Sequence, residues 1–310
     1  MTSKPRVSIV IPVYNGSNYL KEAIDSAVGQ TSQDVEVIVV NDGSNDQGQT
    51  EAIAKSYADK IRYFDKENGG VASALNLGIK NMRGEWFAWL SHDDIFSKNR
   101  IESDLIFFKE NPEAKVIFCK TTIIDSKGKL IEDINYPIEQ VHNCREALLL
   151  GGVDMCTMTL HKSCFEKTGL FNESNKTNQD VEMTLRLSSI FPFYLNRNSV
   201  TFKREHLNRG THTLSERKKE DLVRLCEFIH NELSLNNFFP GLRDDNEEVA
   251  EAWNYMGNLY SSFGASLYAE ECYKLAISKN KNALVRWIKM LSFNGRKLNN
   301  PIINKLLKRF

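Results

Sequence analysis

From Val7 to about Leu90, short apolar runs alternate with amphipathic stretches. Val7 to Val13 is a β-branched run that carries Pro12. It reads as a first strand stopping at Tyr14, Asn15 and Gly16. Asn18 can cap a helix to about Val28, with Leu20, Ile24, Ala27 and Val28 on one face. Val35 to Val40, apolar apart from Glu36, is a second strand, ended by the turn Asn41-Asp-Gly-Ser44. A helix to about Ala58 and a short strand from Ile61 to Phe64 follow. Asn68, Gly69 and Gly70 then open a helix to about Met82, and Gly84 separates it from the buried run Trp86 to Leu90. Strands this apolar, alternating with helices, predict a parallel sheet covered on both faces.

Past Asn99 the pattern gives a helix to about Lys109 and strands over Lys115–Cys119 and Thr121–Ile124, the latter turning at Asp125 to Gly128. Leu148–Leu150 and Met155–His161 fit no single period. Asn178–Leu187 reads as a short helix with Asp180 in its first turn. From about Leu214 the pattern is helical throughout, which places a domain boundary near Thr213: residues 1–213 as an α/β domain and 214–310 as an all-α extension. In the extension, Trp253, Met256, Gly257, Tyr260, Ala269, Tyr273 and Ala276 fall on the spacing of one tetratricopeptide-like helix pair, about 250–281, with Lys281 where the repeat's closing Pro belongs. A single repeat cannot bury its own faces, so it is expected to pack on Leu222–Leu233 and on the segment after Asn282.

The Trp86 strand runs out into two adjacent carboxylates, Asp93 and Asp94. Open α/β sheets bind ligands at the carboxyl ends of their strands. Two carboxylates side by side repel each other unless a cation or a donor network neutralises them. A hard divalent cation holding a diphosphate would do so. The competing reading is a polar turn leading into the helix at Asn99.

The chain has 310 residues, 41% hydrophobic and 26% charged, with a formal net charge of zero. No global field therefore favours nucleic acid or acidic partners. The charge is uneven: from Cys272 to Phe310 there are ten Lys and Arg and no Asp or Glu, as a count along the sequence shows. The six cysteines show no zinc spacing and read as reduced thiols. Met1 to Arg6 carries no apolar signal region, and no run reaches the roughly 20 residues of a membrane span. The expected location is cytoplasmic.

Taken together, Val7 to Asn15, Val39-Val-Asn-Asp-Gly-Ser44, Asn68-Gly-Gly70 with Asn76 and Gly84, Leu90-Ser-His-Asp-Asp94, Gly169-Leu-Phe-Asn-Glu173 and Gln179-Asp180 resemble, in that order, a family 2 glycosyltransferase. The resemblance covers roughly residues 5 to 212. It implies the GT-A nucleotide-diphospho-sugar transferase fold, a mostly parallel central sheet with flanking helices. It also implies inverting transfer from a nucleotide-diphosphate sugar, UDP-hexose or UDP-N-acetylhexosamine, assisted by Mn²⁺ or Mg²⁺. The acceptor would be a hydroxyl of a glycan or lipid-linked glycan, in surface polysaccharide or glycoconjugate synthesis.

Residue by residue, the resemblance puts Pro12, Tyr14 and Asn15 at the nucleotide and gives Asp42 a hydrogen bond from the uracil ring. Asn68, Gly69, Gly70 and Asn76 join the donor site, the glycines offering backbone N–H groups to sugar or phosphate oxygens. Asp94 is expected to ligate the metal and Asp93 to touch ribose or donor sugar. His206 is a second candidate metal ligand, Arg204 and Arg209 are candidates to neutralise the diphosphate, and Asp180 is the expected base, only modestly desolvated. His92 is expected to be positional. Three positions depart from the family pattern: Asn41 stands where a second acid is common, Leu75 where Arg is common, and Gln179 where Glu is common.

Two other classes compete. One is a catalytically weak GT-A-like binding module whose helical tail recruits a protein partner or a second copy. The other is a nucleotidyltransferase, disfavoured by Asp180 and by the lack of a glycine-rich signature near the N-terminus. In the basic tail, Leu284, Trp287, Ile288 and Leu291 share one helical face, and Pro301–Phe310 mixes apolar and basic residues. This pattern suits either packing on its own domain or docking on the anionic inner face of the cytoplasmic membrane.

Overall fold

The computed structural model describes residues 5–149, 154–207 and 217–280. It divides into two compact units, 1–215 and 216–310.

The first unit is built on one ten-stranded sheet. β1 (Val7–Val13), β2 (Val35–Asn41), β3 (Arg62–Asp65) and β4 (Trp86–Trp89) are parallel, in spatial order β3-β2-β1-β4. The apolar runs are buried because both faces are covered. Val10, Ile38, Val40, Phe87 and Trp89 pack with α3 (Val71–Asn81) and α7 (Gln179–Ser188). The alternate residues, Ile9, Ile11, Val37, Val39 and Ala88, pack with α1 (Leu20–Val28) and α4 (Arg100–Glu110). That two-residue alternation is the strand period expressed as two cores. The remaining helices of this unit, α2 (Gln49–Lys55), α5 (Cys144–Leu149) and α6 (Ser163–Thr168), are short.

Beyond β4 the sheet becomes mixed. β9 (Met158–His161) lies antiparallel between β4 and β6 (Val116–Ile124), and β10 (Phe193–Arg204) runs parallel to β6. β5 (Ile95–Phe96) and β8 (Gln140–Val141) pair with β10, and β7 (Leu130–Ile134) with β6. The two strands expected over Lys115–Ile124 are one continuous strand, with Lys120 on its exposed side. Met155–His161, which fits no single period, divides into a 3-10 turn (Met155–Thr157) and β9. Asn18 does not cap α1. Instead the Gly16 carbonyl accepts the Tyr19 and Leu20 N–H groups, at 3.2 and 3.0 Å.

In the second unit, helices Asn246–Ser262 and Ser266–Lys279 pack against each other, and Leu225, Cys226 and Ile229 of helix Arg217–Glu232 are buried. A Cβ on Gly257 would stand 2.6 Å from the Tyr273 ring, so a glycine is required where the helices cross. The segment after Asn282, with its basic faces, lies outside the described residues. Among the described residues, no helix is long and apolar enough to cross a membrane. All six cysteines are buried and unpaired.

Candidate active site

Strand direction explains which residues meet. β1, β2 and β4 are parallel and release their chains at one edge of the sheet. β9 runs the other way and so begins at that edge, whereas β10, sharing the direction of β6, ends there. Asp42, Asp93, Asp94, Asp154 and the segment Lys203–His206 are thereby gathered on one side of the sheet.

One pole is built on the end of β4. Asp93 Oδ2 lies 3.1 Å from His206 Nε2. Asp94 is 3% exposed, and its Oδ1 accepts the Arg204 backbone N–H at 3.0 Å. Burial, and then the neighbouring Asp93, push the Asp94 carboxyl well above the usual carboxylate range. A fixed pair of this kind calls for positive charge. Among the described residues no three His, Cys, Asp or Glu side chains converge to hold a cation by themselves. The donor set nonetheless suits Mg²⁺ or Mn²⁺, which are held by one or two carboxylates and complete their shell with water and substrate phosphate. Of the two aspartates it is Asp93 that faces His206; Asp94 is tied to Arg204.

Arg204 is not available to a diphosphate, which corrects its expected role. It is 1% exposed. Its Nε donates to the Asp93 carbonyl at 3.0 Å, one terminal nitrogen to Glu22 at 2.7 Å, and the other to the Asp125 and Ser126 carbonyls at 3.4 and 3.3 Å. Its guanidinium also lies 4.5 Å over the Tyr19 ring. Arg204 therefore holds the aspartate pair in place. Arg209 lies outside the described residues.

His92 directly precedes the aspartate pair. Burial lowers its pKa against the opposing pull of Asp93, so the ring is neutral at pH 7. It packs on Gly16, where a Cβ would fall 2.4 Å from His92 Cδ2 and 2.5 Å from Val13 Cγ2. Gly16→Ala should therefore cost about 1–3 kcal/mol through overpacking and displace His92 beside the pair. Thermal melting with UDP titration checks this, and an unchanged melting temperature would refute it.

The turn after β2 also departs from expectation. Asp42 is 3% exposed; its Oδ1 accepts from Lys66 Nζ at 2.8 Å and from the Gly69 N–H at 3.0 Å, and its Oδ2 from the Gly70 N–H at 2.7 Å. Asp42 is thus a clasp on the loop before α3, and the glycine N–H groups predicted to cradle a ligand are spent on it. Asn76 is a second clasp. Its Nδ2 donates to the Phe171 carbonyl and to Glu173, and its Oδ1 accepts the Phe171 N–H, all at 2.9 Å. Lys176 adds a third, donating to the Gly69 carbonyl at 2.7 Å. Asp42, Gly69, Gly70 and Asn76, each expected to meet the donor, are thus all hydrogen-bonded within the protein. Asn15 Nδ2 donates to Asn45 Oδ1 at 2.7 Å and its Oδ1 accepts the Asn45 backbone N–H at 2.8 Å, and Pro12 is buried in register with Val40. Tyr14 and Asn68 stay exposed at the same edge.

A further carboxylate, Asp180, lies in the first turn of α7. Its Oδ1 accepts the Val181 N–H at 2.9 Å. Burial, reinforced by Asp154, raises its pKa to about 6. The desolvation is thus stronger than the modest one expected, and still leaves the carboxylate mostly ionised at pH 7.

Asp154 and Lys203 have no counterpart in the sequence motifs. They form an ion pair beside these groups, and Asp154 also accepts the Cys156 N–H at 3.0 Å. Burial opposes the Asp154 charge, but Lys203 more than offsets it and lowers the pKa. Only a contact between segments 49 residues apart reveals the pair.

The family model for glycosyl transferase family 2 matches residues 8–168, a span containing the strand ends and the Asp93–Asp94 pair. The chain belongs to glycosyl transferase family 2. An uncharacterized glycosyltransferase of Rickettsia felis is 42% identical over 231 residues, 73% of this chain but 38% of that relative's length. The hyaluronan synthase of Pasteurella multocida is 27% identical over 305 residues, covering 96% of this chain and 30% of the synthase. This family 2 chain therefore spans well under half the length of those relatives. The S. aureus TarS 1-349 structure in complex with UDP-GlcNAc superposes with a TM-score of 0.64 at 16% identity, covering 95% of this chain and 93% of that one. The fold is GT-A, with helices on both faces of the sheet and further helices at the C-terminus.

Proposed function

We propose that the chain is a metal-dependent inverting glycosyltransferase. It moves a hexose or N-acetylhexosamine from a UDP donor to a hydroxyl of a glycan or lipid-linked glycan acceptor, in surface polysaccharide or glycoconjugate synthesis. The observation that carries this reading is two unlike carboxylate environments, one at the end of β4 and one in the first turn of α7. The tightly held Asp93–Asp94 pair with His206 suits a cation and diphosphate, and Asp180, with its pKa raised to about 6, suits a proton acceptor.

Asp93, Asp94 and His206 would hold Mn²⁺ or Mg²⁺, which, when bound, supplies positive charge to the departing nucleotide diphosphate. Arg204 keeps both aspartates aimed, Asp42 joins the turn after β2 to the loop before α3, and Asn76 and Lys176 join α3 and that loop to the loop before α7. Asp180 accepts the acceptor hydroxyl's proton as that oxygen bonds to the anomeric carbon. The bond from that carbon to the diphosphate oxygen breaks on the opposite face, and UDP leaves with the electron pair. The UDP-GlcNAc and synthase names among the relatives support a UDP donor and a polysaccharide product.

The helical unit fits a tetratricopeptide-like pair, the Gly257–Tyr273 crossing supporting it, and would serve a protein partner or a second copy. The location that suits this work is cytoplasmic, with the basic tail touching the inner face of the membrane.

The test is turnover of a panel of nucleotide sugars with Mn²⁺ and with EDTA. UDP-sugar turnover should appear with Mn²⁺ and vanish with EDTA, and Asp94→Ala should weaken both UDP binding and turnover. Full activity in EDTA would overturn the metal requirement.

A further inference from the structure

Asp154 and Lys203 are assigned neither the cation nor the proton, yet Lys203 adjoins the residue that holds Asp94, and the turn that presents Asp154 packs on α7, which carries Asp180. Their side chains are 25% and 17% exposed, so the pair is enclosed but open on one side. Asp154 is anchored through the Cys156 N–H, on a 3-10 turn that packs against β4, β6, β10 and α7. Lys203 directly precedes Arg204, whose N–H holds Asp94. The charges of Asp154 and Lys203 are felt at both Asp94 and Asp180. Beside Asp180, Gln179 is buried and its amide oxygen has no partner among the described residues.

On the glycosyltransferase reading, on which this inference rests, the donor sugar must lie between the cation and the base. Its bond to the leaving diphosphate and its bond to the acceptor form on opposite faces of one carbon. An ion pair open on one side offers that ring both acceptor oxygens and ammonium donors, the complement of vicinal hydroxyls. It offers no spare positive charge, because the Lys203 ammonium is already paired with Asp154. A carboxylate on the sugar would be repelled.

We propose that Asp154 and Lys203 form the donor-sugar subsite, gripping the hydroxyls of a neutral hexose or N-acetylhexosamine and rejecting a uronic acid. The test uses the full chain with Mn²⁺, the donors UDP-glucose, UDP-N-acetylglucosamine and UDP-glucuronate, and UDP itself as a sugar-free probe. Wild-type kcat/KM should be at least about tenfold lower for UDP-glucuronate than for the better neutral donor. Asp154→Asn, which frees Lys203, should narrow that ratio. Lys203→Met should raise KM for the neutral donor about tenfold while leaving UDP affinity unchanged, which also reports a folded protein. Wild-type preference for UDP-glucuronate, or parallel loss of UDP and UDP-sugar affinity in the variants, overturns the subsite and leaves the glycosyltransferase reading standing. No binding of any UDP compound by the wild type overturns both.

Discussion

Asp180→Asn is expected to lower sugar transfer by about 10²–10⁴-fold, the usual contribution of a positioned general base. UDP binding should survive, because the substitution keeps the shape of the side chain and removes none of the hydrogen bonds that hold Asp93 and Asp94. The wild-type pH profile provides a second, independent reading. Only the ionised carboxylate can take the acceptor proton, and burial places its pKa near 6. Activity should therefore be low below pH 6, rise through it and level off above, with no such limb in the residual activity of the Asn variant. Stability should move the other way. Folding raises this carboxyl from 3.8 to about 6, so the folded state favours its protonated form. The ionised group then costs stability, increasingly from pH 3.8 and fully above about 6. Asn removes that cost, so its melting temperature at pH 7 should equal or exceed the wild type's, a trade of stability for function. Transfer at the wild-type rate by the Asn variant would assign the base elsewhere.

What the sequence could and could not reveal follows from the kind of signal each feature leaves. Val7–Val13, Val35–Val40 and Trp86–Leu90 are legible because a strand buried on both faces must be apolar at almost every position. The aspartates at 93 and 94 are legible because the strand before them is unmistakable. β10 is less so: its run Asn196 to Ser199 is polar, and its register against β6 shifts there. The strand delivers Lys203, Arg204 and His206 to the site, so half of the site's electrostatics arrives on an element whose period is interrupted.

The hydrogen bonds that Asp42, Asn76 and Arg204 make within the protein are illegible for a different reason. A motif fixes which residues lie near a ligand site, but not which of their atoms are already spent on the protein. Asp42 lies beside the glycine loop as expected, but its two oxygens satisfy the N–H groups that were expected to face a ligand. Arg204 lies beside the diphosphate pole, but every branch of its guanidinium is committed. Asp42, Asn76 and Arg204 are each under 5% exposed and hydrogen-bonded within the protein, whereas Tyr14 and Asn68 are exposed at the same edge.

Arg100→Met should destabilise the first unit by about 3–5 kcal/mol, the usual cost of leaving a buried charge without its partner. Arg100 and Asp104 are both fully buried and form an ion pair one turn apart on α4. Asp104 also accepts from Thr159 Oγ1 at 2.7 Å and from Asn196 Nδ2 at 2.9 Å, joining α4 to β9 and β10. Arg100 donates to the Thr157 carbonyl at 2.7 Å, at the end of the turn that presents Asp154. Methionine fills most of the volume but leaves the Asp104 carboxylate without a counter-charge and the Thr157 carbonyl without that donor. Urea unfolding with hydrogen exchange read at β4 and β9 would localise the loss to this unit. The double variant Arg100→Met with Asp104→Leu should recover much of it, because removing both charges ends the desolvation penalty that one alone incurs. That variant also separates stability from geometry. If Thr157 needs the guanidinium to set the turn, the double variant will be stable yet bind its donor poorly. A single Arg100→Met variant as stable as the wild type would show that Thr159 and Asn196 alone satisfy Asp104, and that the ion pair adds little to this fold.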